Sequence, residues 1–310
     1  MPLVSLQTIQ EVRVVAQTDA IPDMERELKF FPIETKDPKK LTKEQIKKYN
    51  EVGYVFPLDV YSPDEIETNR SYFDKLLVMA HEHGLGDWDV NAWHTTCQGL
   101  YDLITDDRIL DYVEDIIGPN IVCTMSHYFS KAPGDKKSVY WHQDAQFWPL
   151  TPSKVVTVWI AIDDVDVENG AMKLFPTTHH LGIVPFEWVT DEEDGVLNQH
   201  VHNPEEKYGE PISVELKAGQ ISLHTDMLLH GSMPNPSNRR RCGLTLRYHP
   251  VEVRGNEDLR TKYAILARGH DPEGYWVHHP RPTEEKIPSW FSEEAADRAA
   301  EKPLGPRPPD

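Results

Sequence analysis

The sequence predicts an all-β core, a β-sandwich or β-barrel, with N-terminal α-helices packed outside it in one domain. Two observations support this prediction. Helical periodicity with capping signals is confined to residues 42–118. After Pro119, short runs rich in β-branched and aromatic residues replace it, and turn signals such as Asn169-Gly170 separate these runs. Many short strands at this spacing are typical of sandwiches and barrels.

Three helices are predicted in the first part of the chain. Thr42 and Gln45 form a capping box, in which each side chain accepts a hydrogen bond from the other residue's backbone N–H, and Ser62 and Glu65 repeat the pattern. A glycine, which readily adopts the left-handed conformation of a helix end, follows each predicted helix. We expect the helices to begin after Thr42, Ser62 and Asp106 and to end before Gly53, Gly84 and Gly118.

Seven runs are predicted as strands because they are short, β-branched and bounded by turn residues. They are residues 121–130, 138–144, 154–163, 170–176, 211–216, 219–224 and 241–249. The strand core therefore spans about residues 120–250.

The chain is predicted to divide into an arm, a single domain and a proline-rich tail. These are residues 1–40, 41–270 and 271–310. Residues 185–210 are acidic and aperiodic, which predicts an insertion loop and a candidate lid. One short helix is expected in the tail, at SEEAADRAA (292–300).

The charge of the chain argues against two classes of partner. The 310 residues include 32 Lys+Arg and 51 Asp+Glu, a formal net charge of −19 with His neutral. Nucleic acids and anionic membrane surfaces require a basic face, so we expect neither as a partner. No apolar run approaches the roughly 20 residues that span a bilayer, and the N-terminal residues lack a signal-peptide pattern.

The cysteines indicate a reducing compartment. Cys97, Cys123 and Cys242 are odd in number and widely spaced, which fits neither a disulfide framework nor a zinc motif. We therefore expect a cytoplasmic protein with reduced thiols.

A His-x-Asp pattern marks a candidate metal site. His142 and Asp144 lie in the predicted strand 138–144, where residues two apart point to the same face. His230, after the run 219–224, is the candidate third ligand from a distant strand. Two imidazoles and one carboxylate on one side of an ion are typical of non-haem Fe(II) oxygenases and leave positions open for a chelating cosubstrate and O₂.

A second His-x-Asp pair, His224 and Asp226, is the weaker candidate. About one such pair is expected by chance in a chain of this composition. We interpret His224 and Asp226 as strand-end and loop residues rather than as ligands.

Arg241 is the candidate partner for a carboxylate. It opens the last predicted strand, and a strand-rooted guanidinium near a metal suits a bidentate salt bridge. Its neighbours Arg239 and Arg240 are interpreted as a solvated loop cluster. Ser232, two residues after His230, is positioned to donate a second hydrogen bond to the same carboxylate.

The combined motifs resemble the phytanoyl-CoA dioxygenase family over about residues 40–250. They are W-H-Q-D at 141–144, a tryptophan at Trp159, N-G-x-M-x-x-x-P at 169–176, A-G-Q-I-S-L-H at 218–224, and L-H-G-S at 229–232. The N-terminal LTKEQIKKYNEVGYVFPLDVYSPDEI is also typical of the family. The combination is specific where each motif alone is not.

The resemblance implies a double-stranded β-helix, or cupin-like jelly roll, and assigns roles to individual residues. His142, Asp144 and His230 would hold Fe(II). Arg241 and Ser232 would anchor the far carboxylate of 2-oxoglutarate, and O₂ would be the second cosubstrate. Trp159 would shape the pocket beside the ligand strand. Because the carboxylate ligand Asp144 is present, hydroxylation of an unactivated C–H bond is the favoured reaction.

Several alternatives remain open at the level of sequence. The same oxidation can end in desaturation, cyclisation or demethylation, and a cupin-type metalloenzyme can work without 2-oxoglutarate. A binding protein with a vestigial site is a third possibility, disfavoured by the complete residue set. The substrate is expected to be a small molecule. Four aromatic residues are interpreted equally well as pocket or core: Trp93, Tyr128, Phe147 and Trp148.

Overall fold

Five α-helices and fourteen β-strands make up the described part of the computed structural model, residues 19–189 and 195–289. The helices are α1 (Lys43–Val52), α2 (Pro63–Glu82), α3 (Gln98–Ile104), α4 (Asp107–Ile117) and α5 (Glu205–Tyr208). The first seven strands are β1 (Tyr54–Asp59), β2 (Ile121–Lys131), β3 (Val139–His142), β4 (Leu150–Thr151), β5 (Val156–Ala161), β6 (Met172–Leu174) and β7 (Glu187–Trp188). The others are β8 (Gln199–His200), β9 (Ile212–Ser213), β10 (Gln220–Thr225), β11 (His230–Ser232), β12 (Arg241–Pro250), β13 (Arg254–Gly255) and β14 (Ile265–Arg268).

The three predicted helices are confirmed, together with their caps. Both capping boxes form, at Thr42 before α1 and at Ser62 before α2, and Asp106 caps α4 by accepting from Arg108 N. α1 ends at Gly53, whose φ of 89° is left-handed. α3 was not predicted, because its N-cap, Cys97, makes no side-chain cap hydrogen bond and the helix has only seven residues.

Two antiparallel sheets form the core, as the jelly-roll prediction requires. The larger has the strand order β1-β10-β5-β12-β2-β14, and the smaller has the order β3-β11-β6-β9. Neighbours in each sheet are distant in sequence, so residues from remote segments meet between the sheets. The predicted fold class is confirmed.

The larger sheet is buried on both faces. Val158 and Ile160 of β5 belong to the same apolar cluster as Val113 of α4, so this face packs against the helices. Thr157 and Trp159 alternate with them and point between the two sheets. Burying an aliphatic side chain stabilises by about 1.5–3 kcal/mol, which fixes this strand register. The register decides which residues face the site.

Three predicted runs differ from the observed strands. The run 138–144 ends as a strand at His142, the run 170–176 is strand only over Met172–Leu174, and the run 211–216 is strand only over Ile212–Ser213. β11 contains His230, which was expected on a distant strand, but its three residues are too few to show a period and were not among the predicted runs.

The segments outside the core pack against it where they are described. Within 185–210, β7 pairs with β8, and the buried Phe186 and Val201 join Trp141 and Phe175 in an apolar cluster. Glu285 of the tail accepts a hydrogen bond from Tyr72 Oη at 2.6 Å. The expected helix at 292–300 lies outside the described residues. The lid function of 185–210 stays a prediction.

Three cysteines are buried and free: Cys97, Cys123 and Cys242. No helix in the described ranges combines the length and the apolar character that crossing a bilayer requires.

Candidate metal centre

Three residues predicted as ligands lie together between the sheets. His142, the last residue of β3, is paired in register with His230, the first residue of β11. His142 Nε2 lies 3.5 Å from Asp144 Oδ1, and His230 Nε2 lies 3.9 Å from the same oxygen. One ligand atom from each residue falls within 4.8 Å of the others. In the described residues this is the only group of three or more His, Cys, Asp or Glu with such spacing.

Asp144 reaches the cluster in a different way from the one predicted. The chain leaves β3 at His142, and Asp144 begins a 3₁₀ turn that spans Asp144–Gln146. The expectation that both residues share one face of a strand was therefore wrong. The turn is closed by Phe147 N, which donates to Asp144 O at 2.9 Å. This bend brings the carboxylate back to the imidazole.

Gln143, between the two ligands, points away from them and fixes the turn. Its amide nitrogen donates to Met227 O at 2.6 Å and to Gly182 O at 2.9 Å. Its amide oxygen accepts from Val184 N at 2.8 Å. A buried amide with these three partners joins the ligand turn to the segments before β7 and β11.

The N-terminal arm fastens the same turn from outside. Arg26 Nη1 donates to Ala145 O and to Trp148 O, both at 2.7 Å. Ala20 N donates to Gln146 Oε1 at 2.9 Å. The described part of the arm therefore covers the backbone that follows Asp144.

Both imidazoles are oriented by backbone carbonyls. His142 Nδ1 lies 2.7 Å from Tyr140 O, and His230 Nδ1 lies 2.9 Å from Leu228 O. A carbonyl only accepts, so each Nδ1 carries the proton and each Nε2 keeps its lone pair toward the cluster. Burial, reinforced by His142, holds the pKa of His230 well below its usual range. His230 is therefore neutral at pH 7, as a metal ligand must be.

Asp144 is ionised although it is buried. Burial alone would raise its pKa, but the Arg247 guanidinium and then His142 hold it well below its usual range. Thr157 Oγ1 donates to Asp144 Oδ2 at 2.9 Å. The second carboxylate oxygen is thus occupied by Thr157, while Oδ1 faces the two imidazoles.

Arg241 and Ser232 lie at the other end of the cavity. Arg241 Nη2 donates to Ser232 Oγ at 3.2 Å, and Nη1 donates to Phe129 O at 3.3 Å. Arg241 is 2% exposed, and its Nε has no hydrogen-bond partner in the described chain. Burial lowers its pKa to about 10, so it stays charged at neutral pH. No described carboxylate lies within ion-pair distance, so the guanidinium fits an incoming one.

Trp159 lines the cavity between these two ends. Its ring lies beneath the Arg241 guanidinium, 5.9 Å from centroid to Cζ. A Cβ at Gly243 on the neighbouring strand would come within 1.9 Å of the ring. Gly243 therefore makes room for the tryptophan, a requirement that the sequence pattern did not reveal.

The neighbours of Arg241 in sequence have other partners. Arg239 pairs with Asp166 at 2.8 Å, and Arg240 pairs with Asp163 at 2.8 Å. Both lie outside the cavity. Both arginines were expected to be solvated, but in the structure each forms an ion pair.

Lys131 was missed in the sequence. It is fully buried, it pairs in register with Arg241, and its Nζ donates to the carbonyls of Ser232 and Met233. Burial, followed by the Arg241 charge, lowers its pKa to about 6. The signal available was its place at the end of β2, opposite the start of β12.

The side chains of His224 and Asp226 lie in different surroundings. Neither belongs to the three-residue cluster. Their interpretation as non-ligands stays a prediction. The His224 ring nevertheless faces the cavity, with Nε2 4.0 Å from Asp144 Oδ2. Asp226 is buried elsewhere and accepts from Ser153 Oγ at 2.5 Å. Alternation along β10 is the signal that placed His224 inward.

The aromatic residues divide between core and site. Trp93 and Tyr128 are core residues, both 0% exposed. Phe147 meets the His142 ring edge-on at 5.4 Å, and Trp148 lies 5.2 Å from Arg247. Phe129, which was not predicted, lines the cavity.

Comparison with known proteins decides the family. The family model described as phytanoyl-CoA dioxygenase (PhyH) matches residues 49–243. The chain belongs to this family. The peroxisomal phytanoyl-CoA dioxygenase of Mus musculus is 25% identical over 258 residues, with 76% of each chain covered. A probable alpha-ketoglutarate-dependent hypophosphite dioxygenase of Stutzerimonas stutzeri is 30% identical over 164 residues, covering 52% of this chain and 56% of the relative.

A solved structure supports the fold. The apo form of the non-heme monooxygenase ThoJ superposes with a TM-score of 0.67 at 22% identity, covering 82% of this chain and 94% of that one. Membership of the PhyH family makes this chain an Fe(II)- and 2-oxoglutarate-dependent dioxygenase, from a family that acts on small-molecule substrates. The donor set of two neutral imidazoles and a carboxylate fits Fe(II). The buried, unpaired Arg241 fits a carboxylate of 2-oxoglutarate.

Proposed function

We propose that this PhyH-family enzyme hydroxylates an unactivated C–H bond of a small molecule at the His142, Asp144 and His230 site. When bound, Fe(II) would activate O₂, the oxidant, and 2-oxoglutarate would supply two electrons as it is converted to succinate and CO₂. The observation that carries the proposal is the convergence of three ligand atoms within 4.8 Å, with both imidazoles held in one tautomer.

The residues of the chain contribute position and charge. His142 and His230 present Nε2 to the metal, and Asp144 presents Oδ1 and offsets one unit of its charge. Arg241 pairs with the far carboxylate of 2-oxoglutarate, and Ser232, which accepts from Arg241, donates its hydroxyl hydrogen to the same group. Trp159 provides an apolar wall that excludes water from the space between the carboxylate and the metal.

The activity test is conversion of 2-oxoglutarate to succinate. We expect succinate release that requires Fe(II) and O₂ and rises when a substrate from a compound library is present. His142→Ala is expected to abolish the release, because a three-ligand site would lose one ligand. Arg241→Ala is expected to raise the KM for 2-oxoglutarate, and Arg240→Ala is the matched control from the surface.

Two outcomes would point elsewhere. Product formation that is unaffected by Arg241→Ala and needs no 2-oxoglutarate would favour a 2-oxoglutarate-independent metalloenzyme. Mass analysis of the product separates hydroxylation, a gain of one oxygen, from desaturation or cyclisation, a loss of two hydrogens.

The compartment we propose is the cytoplasm. The three cysteines are buried as free thiols, which suits a reducing environment. Localisation of the tagged protein to an organelle, when it is expressed in the organism that it comes from, would contradict this assignment.

A further inference from the structure

Two buried arginines share the inner face of β12. Arg241 and Arg247 are six residues apart, so they point to the same side and lie about 20 Å from each other along the strand. Both line the cavity. Arg241 pairs with 2-oxoglutarate in the proposed function, whereas Arg247 has so far been given only its electrostatic effect on Asp144.

Arg247 is buried without a full set of partners. Its guanidinium lies near two aromatic rings, 5.7 Å from the centroid of Phe129 and 5.2 Å from that of Trp148. Nη1 donates to Thr245 Oγ1, and Nε has no hydrogen-bond partner in the described chain. Its nearest described carboxylate oxygen is Asp144 Oδ2, at 3.9 Å from Nε. That distance exceeds a hydrogen bond.

Asp144 does not satisfy Arg247, because its oxygens have other partners. Oδ1 faces the two imidazoles, and Oδ2 accepts from Thr157. Asp144 lies within ion-pair distance of Arg247 but makes no hydrogen bond to it, so the buried guanidinium is only partly paired, which is costly. A group outside the chain that brings negative charge would relieve this cost.

The charges of the filled site lead to the same conclusion. Fe(II), the Asp144 carboxylate, the two carboxylates of 2-oxoglutarate and Arg241 cancel. Burial lowers the pKa of Lys131 to about 6, so it adds little charge at pH 7. The positive charge of Arg247 is then left over in a pocket with little solvent.

His224 lies in the same row of the sheet. Thr157 of β5 pairs in register with His224 on one side and with Arg247 on the other. His224 is 1% exposed, and neither of its ring nitrogens has a hydrogen-bond partner in the described chain. A buried imidazole without partners is unusual and requires an explanation.

We propose that Arg247 and His224 bind an anionic group of the substrate, a carboxylate or a phosphonate. Arg247 forms the ion pair and His224 donates a second hydrogen bond to the same group. Because Arg247 lies close to Asp144, the oxidised carbon is within a few bonds of the anion. This assignment rests on the proposed function and narrows its substrate class.

The test uses the full chain loaded anaerobically with Fe(II) and 2-oxoglutarate. This complex has a weak visible charge-transfer absorption that shifts when a molecule enters the metal's surroundings. The probes are linear alkanoates and alkylphosphonates of three to eight carbons, each matched with its neutral amide or alcohol. We expect the anions of at least one series to shift the band and the neutral partners to leave it unchanged. The series that responds distinguishes carboxylate from phosphonate.

Variants separate a substrate-binding role from a structural one. Because Arg247 also lowers the pKa of Asp144, Arg247→Gln is studied at saturating Fe(II) and 2-oxoglutarate, where the band still forms. Under these conditions the variant is expected to raise the apparent Kd of the responding anion at least tenfold. Arg247→Lys is expected to recover part of the affinity, and it covers the case in which the glutamine variant does not fold. His224→Gln is expected to have a smaller effect, and the exposed Arg239→Gln is the control.

Three results would overturn the inference. They are equal responses to anions and neutral partners, no response to any probe, and an unchanged anion Kd in both Arg247 variants. Loss of Fe(II) affinity in Arg247→Lys with an unchanged anion preference would instead assign Arg247 to holding Asp144, and would also overturn it. Absence of the band in the unmodified protein is a different failure, because it refutes the proposed function itself.

Discussion

His230 lies directly opposite His142 across the ladder that joins β11 to β3, and the two rings are 4.1 Å apart between centroids. The backbone register of the smaller sheet therefore sets the separation of the two imidazoles. Each ring is also held by a carbonyl two residues before it in its own segment. The third ligand, Asp144, is positioned by a turn and by side-chain contacts. Its position is therefore the most sensitive of the three to substitution of neighbouring residues.

Thr157→Val is expected to weaken Fe(II) binding by about 10–100-fold, since second-layer hydrogen bonds typically contribute that much. Valine keeps the shape of the side chain but removes the donor to Asp144 Oδ2. Anaerobic metal titration measures the change. Thr157→Ser retains the hydroxyl and should restore affinity; equal affinities in the valine and serine variants would contradict this role.

Gln143→Leu is expected to destabilise the metal-free protein by several kcal/mol. The substitution leaves Met227 O, Gly182 O and Val184 N without the partner that they have in the structure, and each buried unsatisfied group costs about 1–3 kcal/mol. Urea unfolding monitored by fluorescence gives the free energy. Gln98→Leu, at the start of α3, is the comparison. A similarly small loss of unfolding free energy in both variants would argue against the role of Gln143 in fixing the ligand turn.

Gly243→Ala is expected to lower stability by about 1–3 kcal/mol, because overpacking a core displaces its neighbours. The added Cβ would lie 1.9 Å from the Trp159 ring. Thermal unfolding measures the loss. Gly86→Ala is the matched control, since its Cβ would meet only Asp89 Oδ2 at 3.6 Å. Combining Gly243→Ala with Trp159→Leu should recover stability, and failure to do so would place the strain elsewhere.

Asp226→Asn is expected to raise the melting temperature most at pH 8 and progressively less as pH falls toward about 4, the pKa of the carboxyl group in the unfolded chain. Burial raises the pKa of Asp226 to about 7, above the value of about 3.9 in the unfolded chain. A group whose pKa is raised by folding favours the folded state below its unfolded pKa, and this contribution is lost as pH rises through the folded pKa. Asparagine does not ionise, so the variant does not lose this stability as pH rises. The prediction would be contradicted if the melting temperatures of the two proteins differed by the same amount at every pH between 5 and 8.

The helices and most strands were predictable because their signals are local. The capping boxes at Thr42 and Ser62 are complete within four residues, and the glycine at Gly53 ends α1 by its own conformational freedom. β12 was predicted as the run 241–249 that follows the turn residues 234–238, and the observed strand, Arg241–Pro250, is buried throughout. β11 and α3 are short and lack a period or a cap, so only tertiary contacts define them.

The site was predictable in its residue types but not in its geometry. His142, Asp144 and His230 do converge, yet through a turn at Asp144 rather than along one strand. Lys131 and Arg247 were missed, and His224 was interpreted only as a strand-end residue, because their significance depends on strand order, which places β2, β10 and β12 around one cavity. Side chains alternate between the two faces of each strand, so the positions that face the cavity can be identified only once the face that packs against the helices is known.

The most direct test of the account is anaerobic titration of the metal-free protein with Fe(II) and then with 2-oxoglutarate. We expect the visible charge-transfer band in the unmodified chain, no band in His142→Ala, and a band in Arg241→Gln only at much higher 2-oxoglutarate concentrations. Arg240→Gln, altered one residue away and outside the cavity, should match the unmodified chain. Tight Fe(II) binding without any band at saturating 2-oxoglutarate would contradict the account.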